Sequence, residues 1–285
     1  MTSGTPDGTD EDRLDRAGLV GHGALLVALD IDGTLMTYDE EMSDDVRAAV
    51  AAVRDTGAHV VLATGRSLHA TAPVAIELGL TDGWVVASNG SVTARMDPAE
   101  PEGYRVTEAI TFDPGPALRL VHAALPDALF AVEEIGVGFR ISAPFPDGEL
   151  TGRHSLEAID DLAARHVTRL VVRSPGHTPE EFHRLVHRMG LGDVTYAIGW
   201  TAWMDVAPHG VTKASALEGV RRMLGVQPER TVAVGDGRND LEMLDWAALG
   251  VAMGHAPEPV RAIADEVTGT IDDDGVVDVL RRLLG

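Results

Sequence analysis

The sequence predicts an α/β protein in which a doubly wound parallel sheet carries an inserted α+β domain. Between residues 22 and 88, short apolar runs typical of buried strands alternate with amphipathic helical segments. The same alternation resumes after residue 208, whereas the stretch between contains hairpin patterns. Polar side chains directly follow three of the apolar runs. Together these observations predict one sheet whose strands end at a shared functional edge.

The core segments follow one another in β-α-β order, which predicts right-handed crossovers and a Rossmann-like sheet. The first helix has a clear beginning, because Ser43 is a good N-cap and two acidic residues follow it. Gly57 ends that helix. The predicted core segments are strands at 24–29, 59–63, 84–88, 231–234 and 249–253, and helices at 43–56, 67–79 and 212–224, with further helices after Pro257 and Gly275.

The inserted domain, which we call the cap, is predicted from turn clusters and hairpin spacing. A proline and glycine cluster at 98–103 interrupts the crossover pattern. Thr178, Pro179 and Glu181 combine an N-cap, a proline at the first helical position and a capping-box acid. The other predicted cap segments are a helix at 114–125, hairpins at 129–142 and 194–206, and a strand at 167–172.

These patterns divide the chain into three parts. Residues 1–21 are predicted to be a disordered acidic tail, because they lack any apolar period. Residues 22–88 and 209–285 are predicted to form a discontinuous core domain, with residues 89–208 inserted as the cap.

Composition excludes several functional classes. The formal net charge of −22 at pH 7 argues against nucleic acid or an anionic membrane surface as a partner and favours divalent cations. Because the chain has no cysteine, it cannot form disulfides or thiolate-bound zinc sites. The apolar runs are shorter than the roughly 20 residues that a membrane helix needs. A cytoplasmic protein is expected; the sequence does not indicate its oligomeric state.

The polar residues that follow the strands are the candidates for a functional site. Asp30 and Asp32 follow the first strand, Thr64 follows the second, and Asp236 follows the strand at 231–234. Because carboxyl ends of parallel strands share one edge, these side chains are expected to converge there. A single aspartate in such a position is often only a turn residue, but three clusters favour a site.

A site of this composition suits phosphoryl transfer. The Asp30 carboxylate can attack phosphorus, and Asp32 can serve as general acid and base. Asp236 adds a further carboxylate and makes a hard oxygen site suited to Mg²⁺. The Thr64 hydroxyl can donate to a phosphate oxygen. Lys213 would be an ordinary surface lysine by itself, but next to several carboxylates and a phosphate it is expected to balance charge.

The motifs resemble those of the haloacid dehalogenase superfamily of phosphohydrolases. The matching segments, in family order, are Asp30-Ile31-Asp32-Gly33-Thr34, Thr64-Gly65-Arg66, Gly210-Val211-Thr212-Lys213 and Gly235-Asp236-Gly237-Arg238-Asn239-Asp240. The resemblance implies that Asp30 is the nucleophile, Asp32 the acid and base, and Asp236 a metal ligand. It also implies phosphate contacts from Thr64, Gly65 and Lys213. By the same resemblance, Asp30 and Asp240 are further metal ligands, Asn239 is a further phosphate contact, and Asp32 adds a carbonyl ligand.

Asn89-Gly90 resembles the hinge of Cof-type members that carry large α/β caps of class IIB. The expected function is therefore a Mg²⁺-dependent phosphatase that hydrolyses a small phosphorylated metabolite, most simply a sugar phosphate, through an aspartyl-phosphate. A phosphotransferase or phosphomutase on the same fold is one alternative. A non-catalytic phosphate-sensing module is another, which the presence of both Asp30 and Asp32 disfavours.

Overall fold

The computed structural model describes residues 24–189, 194–198 and 201–284. The predicted acidic tail, residues 1–21, lies outside the described residues. Contacts divide the chain into a first unit, Met1–Val61 with Glu218–Gly285, and a second unit, Leu62–Leu217.

The described elements alternate as the sequence predicts for the core. The strands are β1 (Leu26–Leu29), β2 (His59–Ala63), β3 (Trp84–Ala87), β4 (Val92–Met96), β5 (Tyr104–Ala109), β6 (Leu129–Glu134), β7 (Gly138–Ile141), β8 (Arg153–Leu156), β9 (Leu170–Arg173), β10 (Val194–Ile198), β11 (Trp203–Pro208), β12 (Thr231–Gly235), β13 (Leu249–Ala252) and β14 (Glu266–Val267). The helices are α1 (Asp44–Asp55), α2 (Leu68–Glu77), α3 (Gly115–Ala124), α4 (Ile159–Ala163), α5 (Pro179–Met189), α6 (Lys213–Leu224), α7 (Leu241–Trp246), α8 (Glu258–Ile263) and α9 (Gly275–Arg282).

The sheet of the first unit has the order β14-β13-β12-β1-β2, with β2 crossing the unit boundary. β1 pairs in parallel with β12, so that Leu26 lies opposite Thr231 and Leu29 lies opposite Val234. β12 and β13 are also parallel, as are β13 and β14. All four residues of β1 are fully buried, as their continuous apolar run predicts. The parallel pairing brings the carboxyl ends of β1 and β12 to one edge.

In the second unit the strand order continues as β2-β3-β4-β5. β4 pairs antiparallel with both β3 and β5, and its register with β5 shifts between Thr93 and Ala94. β5 is the outermost strand of this order, and five of its six residues are exposed. Residues 92–109, which the sequence assigns to the cap, therefore extend the core strand order.

A separate six-stranded sheet in the second unit has the order β10-β11-β9-β6-β7-β8. It contains both predicted hairpins, since β6 with β7 and β10 with β11 are antiparallel pairs. β8 pairs in parallel with β7, which the sequence did not indicate. Apolar side chains of this sheet and of three helices form one buried cluster, including Phe130, Leu118 and Phe182. The predicted fold class, an α/β core with an inserted α+β region, is confirmed.

None of the described helices has both the length and the apolar character that crossing a bilayer requires. The longest of them, α1 and α6, have 12 residues each.

The predicted N-cap of α1 is present, and its loss should measurably destabilise the protein. The Ser43 hydroxyl oxygen accepts a hydrogen bond from the backbone N–H of Val46 at 3.1 Å. We expect Ser43→Ala to lower the free energy of unfolding by about 1 kcal/mol, because that N–H loses its partner. Arg47→Ala, which breaks an exposed ion pair to Asp44, should cost less than about 0.5 kcal/mol. Urea unfolding of both variants measures the difference, and equal losses would contradict the cap.

Candidate active site

Asp30 follows β1 and begins a tight turn. Its backbone N–H donates to the Val234 carbonyl at 3.0 Å, which continues the pairing of β1 with β12. The next residues turn back at once, because the N–H groups of Leu35 and Met36 both donate to the Ile31 carbonyl. Gly33 makes this turn possible with φ +78°, a left-handed conformation that glycine adopts without steric strain. The Asp30 carboxylate is held at this strand end, and the residue is 5% exposed.

Asp236 and Asp240 lie in the loop that follows β12. The Asp240 carboxylate accepts hydrogen bonds from the backbone N–H groups of Asp236 and Gly237, at 3.0 and 2.8 Å. A Cβ atom on Gly235 would lie 2.5 Å from the Asp240 carboxyl carbon, so glycine is required there. Asp240 therefore fixes the loop that presents Asp236. Asn239 folds over the same loop, with its side-chain oxygen 2.4 Å from where a Gly237 Cβ would stand.

Three buried carboxylates meet in the first unit. Asp30, Asp236 and Asp240 each offer an oxygen, and these oxygens lie within 4.8 Å of one another. We call these three residues the carboxylate cluster. Like charges at such separations in a buried place repel strongly unless cations or hydrogen-bond donors compensate them. A set of hard carboxylate oxygens is the donor chemistry that Mg²⁺ prefers, so the residues present fit this ion.

Asp236 is also contacted by two side chains that sequence reasoning missed. The Tyr38 hydroxyl donates to its Oδ2 at 2.7 Å, and His255 Nε2 lies 3.4 Å from the same oxygen. The other ring nitrogen of His255 accepts from the backbone N–H of Ile271, which assigns the ring proton to Nε2. Gly33 allows the close approach, because a Cβ there would lie 2.4 Å from Asp236 Oδ2. One oxygen of Asp236 is thus held by the protein itself.

Thr64 follows β2 in the second unit, where it begins the segment 64–66, which we call the Thr64 turn. Its backbone N–H donates to Val86 and its hydroxyl oxygen accepts from the N–H of Arg66, at 2.9 and 3.1 Å. Thr64 is fully buried and Gly65 is half-buried. In the hydrogen bond with Arg66 the Thr64 hydroxyl oxygen is the acceptor, so the hydroxyl proton takes no part in that bond.

Residues 88–90, which we call the left-handed turn, follow β3. Ser88 and Asn89 have φ of 50° and 53°, conformations that cost about 1–3 kcal/mol each in residues other than glycine. Gly90 comes next with φ +99°, and a Cβ there would lie 2.2 Å from the Thr212 carbonyl oxygen. This close approach places the left-handed turn directly against the start of α6.

Lys213 is the first residue of α6 and is only 1% exposed. A lysine is rarely buried to this extent unless it is paired, so the surface interpretation of Lys213 does not hold.

The structure brings together Asp30, Asp236 and Asp240 of the predicted site. Asp32 is half-buried and forms a bridge with Met36, and its carboxylate is not part of the cluster among the described residues. Thr64, Gly65 and Lys213 belong to the second unit. The roles assigned to these residues stay predictions.

Comparison with known proteins identifies the family. The family model described as haloacid dehalogenase-like hydrolase matches residues 27–109 and 153–280. The chain belongs to this family. The resemblance seen in its motifs is therefore confirmed, and so is the expectation of a phosphoric monoester hydrolase, because curated relatives across the chain are phosphatases.

Two relatives and one solved structure illustrate the likeness. The phosphoglycolate phosphatase of Natronomonas pharaonis is 31% identical over 90% of this chain and 96% of its own length. The 5-amino-6-(5-phospho-D-ribitylamino)uracil phosphatase YcsE of Bacillus subtilis (strain 168) is 26% identical over 90% of this chain and 94% of its own. BT4131, described as a subclass IIB sugar phosphatase of the superfamily, superposes with a TM-score of 0.75 at 24% identity, covering 91% and 98% of the two chains. This last likeness supports the fold.

Proposed function

We propose that this hydrolase removes phosphate from a small phosphorylated metabolite through an aspartyl-phosphate on Asp30, with Mg²⁺ as cofactor. The carboxylate cluster is the observation that carries the proposal. It places a buried carboxylate at the end of β1 within 4.8 Å of two others, as a hard-cation site beside a nucleophile requires.

Asp30 is proposed to attack phosphorus, so that a phosphate–carboxylate bond forms as the bond to the leaving oxygen breaks. Asp32, which is half-buried two residues later, would give a proton to that oxygen and then take one from the hydrolytic water. When bound, Mg²⁺ would neutralise charge on the phosphate oxygens, and Asp236, Asp240, Asp30 and the Asp32 carbonyl are the groups proposed to hold it.

We propose that the phosphate is bound by Thr64, Gly65 and Lys213, both in the ground state and in the transition state, where charge develops on its oxygens. Because the Thr64 hydroxyl oxygen accepts from the Arg66 N–H, its proton can be donated to a phosphate oxygen. Lys213 is a buried cation at the beginning of α6, and a buried cation favours an anionic ligand nearby. Asn239, which folds over the loop that holds Asp236, is proposed as a further phosphate contact.

The substrate class is proposed from the relatives. Those relatives are named for phosphoglycolate and for a ribityl phosphate compound, and a structural neighbour is described as a sugar phosphatase. A sugar phosphate is therefore our first candidate. Residues 89–208 are proposed to act as a cap that selects it, with residues 22–88 and 209–285 as the catalytic core. Phosphotransfer to a second sugar is the alternative, and the cytoplasmic location and the absence of nucleic-acid or membrane partners stay predictions.

A screen of phosphorylated metabolites with Mg²⁺, scored by release of inorganic phosphate, tests this function. Hydrolysis of a sugar phosphate in preference to nucleotides and phosphoproteins is the expected result. Transfer of phosphate to an added sugar without release to water would favour the phosphomutase alternative. Phosphate binding without any turnover would favour the sensing module.

Tyr38 should tighten the binding of Mg²⁺, because its hydroxyl holds one oxygen of Asp236 and so orients the other. We expect Tyr38→Phe to raise the Mg²⁺ dissociation constant about tenfold, measured by calorimetry without substrate. Tyr104→Phe, in the second unit, is the matched control and should leave Mg²⁺ affinity unchanged. Equal Mg²⁺ affinities for Tyr38→Phe and the wild type would contradict this role.

A further inference from the structure

The second unit contains a buried carboxylate that the proposed reaction does not use. Glu133 lies near the end of β6 and is 7% exposed. Within the described part of the chain, its Oε1 atom has no hydrogen-bond partner. A buried carboxylate that is only partly satisfied is less favourable than an apolar side chain of similar size. The groups that hydrogen-bond to the Glu133 carboxylate therefore indicate why a charged residue is buried here.

The other oxygen of Glu133 accepts two side-chain hydrogen bonds. The Ser88 hydroxyl donates to Oε2 at 2.5 Å and the Thr168 hydroxyl donates to it at 3.2 Å. Burial raises the pKa of Glu133, opposed by the Arg169 charge, by both hydroxyls and by the backbone N–H of Leu68. The short distance identifies Ser88 as the stronger of the two hydroxyl partners.

Ser88 connects this carboxylate to the Thr64 turn. Its backbone N–H donates to the Arg66 carbonyl at 2.8 Å, and the N–H of Asn89 donates to the Thr64 carbonyl at 3.0 Å. These two carbonyls flank Gly65, so the left-handed turn holds the Thr64 turn on both sides. Both donors come from residues with positive φ, a conformation that persists only where the surroundings enforce it.

We propose that Glu133 is a positioning residue, which holds the Ser88 hydroxyl and thereby fixes the Thr64 turn in the geometry that binds phosphate. This inference rests on the proposed function, because it takes the Thr64 turn to be a phosphate contact. Without the carboxylate, Ser88 is free to relax toward negative φ. The N–H groups that hold the carbonyls of Thr64 and Arg66 then turn away, and the turn loses its shape.

The test compares Glu133→Leu, which removes the acceptor of the Ser88 hydroxyl, Ser88→Ala and the double variant in the full-length protein. Three quantities are measured with Mg²⁺ present: the inhibition constant of inorganic phosphate, and kcat and KM for p-nitrophenyl phosphate. We expect each single variant to raise the phosphate inhibition constant and KM about tenfold, with kcat changing less than about threefold. The double variant should be no worse than either single one, because both remove the same link.

Two control variants separate positioning from stability. Thr168→Val removes the other hydrogen bond to the same oxygen and should lower the melting temperature without weakening phosphate binding. Ser91→Ala makes the same chemical change as Ser88→Ala three residues later, at a buried hydroxyl whose oxygen has no hydrogen-bond partner among the described residues. It should change neither the inhibition constant nor KM.

The outcomes distinguish this inference from the function on which it rests. If Ser88→Ala binds inorganic phosphate like the wild type, the positioning role is wrong while the phosphatase function stands. The role is also wrong if Thr168→Val weakens phosphate binding as much as Ser88→Ala does, or if the two single effects add in the double variant. A wild type that neither binds inorganic phosphate nor hydrolyses p-nitrophenyl phosphate would overturn the phosphatase function, and the positioning role with it.

Discussion

Asp30→Asn should reduce turnover about 10⁴-fold or more, because an amide of equal size cannot attack phosphorus. The variant should stay folded, and its melting temperature without Mg²⁺ should equal or exceed that of the wild type. The physical reason is that one of three carboxylates within 4.8 Å loses its charge, which relieves repulsion in a buried place. Phosphate release under single-turnover and steady-state conditions measures the loss, and calorimetry measures stability.

The matched control is Asp245→Asn, the same change at an exposed position of α7 in the first unit. It should leave turnover unchanged. Phosphate release by Asp30→Asn within tenfold of the wild type would remove Asp30 from the role of nucleophile. The carboxylate cluster would then be a cation site only.

Removing divalent cations should abolish turnover. We expect excess chelator to lower phosphate release more than about 100-fold, because the carboxylate cluster would otherwise repel the anionic substrate. Added Mg²⁺ should restore activity. Ca²⁺ should bind without restoring it, since its looser and higher coordination disturbs the alignment of Asp30 with phosphorus.

Two further measurements make this result specific to the cluster. Chelator presaturated with Mg²⁺ should have no effect on the wild type. Mg²⁺ should raise the melting temperature of the wild type, and should do so much less for Asp236→Asn, because a ligand stabilises only the state that binds it. Full activity in excess chelator would exclude Mg²⁺ from the reaction.

The sequence is sufficient to predict the elements that have a clear hydrophobic pattern and clear signals at their ends. β1 and β12 are continuous apolar runs followed at once by carboxylates, so both the strands and the approach of Asp30 to Asp236 could be predicted. The beginning of α1 could be predicted from the N-cap Ser43 and the two acidic residues that follow it. In contrast, α4 has five residues and no side-chain cap, so local chemistry gives little indication of it.

The contacts that refine the site could not be predicted, because they join distant residues of ordinary type. Tyr38 and Asp236 are 198 positions apart, and a tyrosine in a polar loop carries no local signal for such a contact. Ser88 and Glu133 are 45 positions apart. Glu133 follows an apolar strand segment, where a glutamate is usually read as the solvent-facing end of the strand. Only tertiary packing shows that the side chains of Ser88 and Glu133 are buried.

The outer strand β5 has a consequence for how the protein behaves when concentrated. A strand with one paired side offers its free backbone groups to another chain, and such strands are common starting points for aggregation. Here five of six residues are exposed, and they include Arg105 and Glu108. Charged side chains on an outer strand oppose the addition of a further strand, because they would have to lose water on pairing. We therefore expect the protein to resist intermolecular strand addition, and to resist it less at high salt, which screens exposed charges.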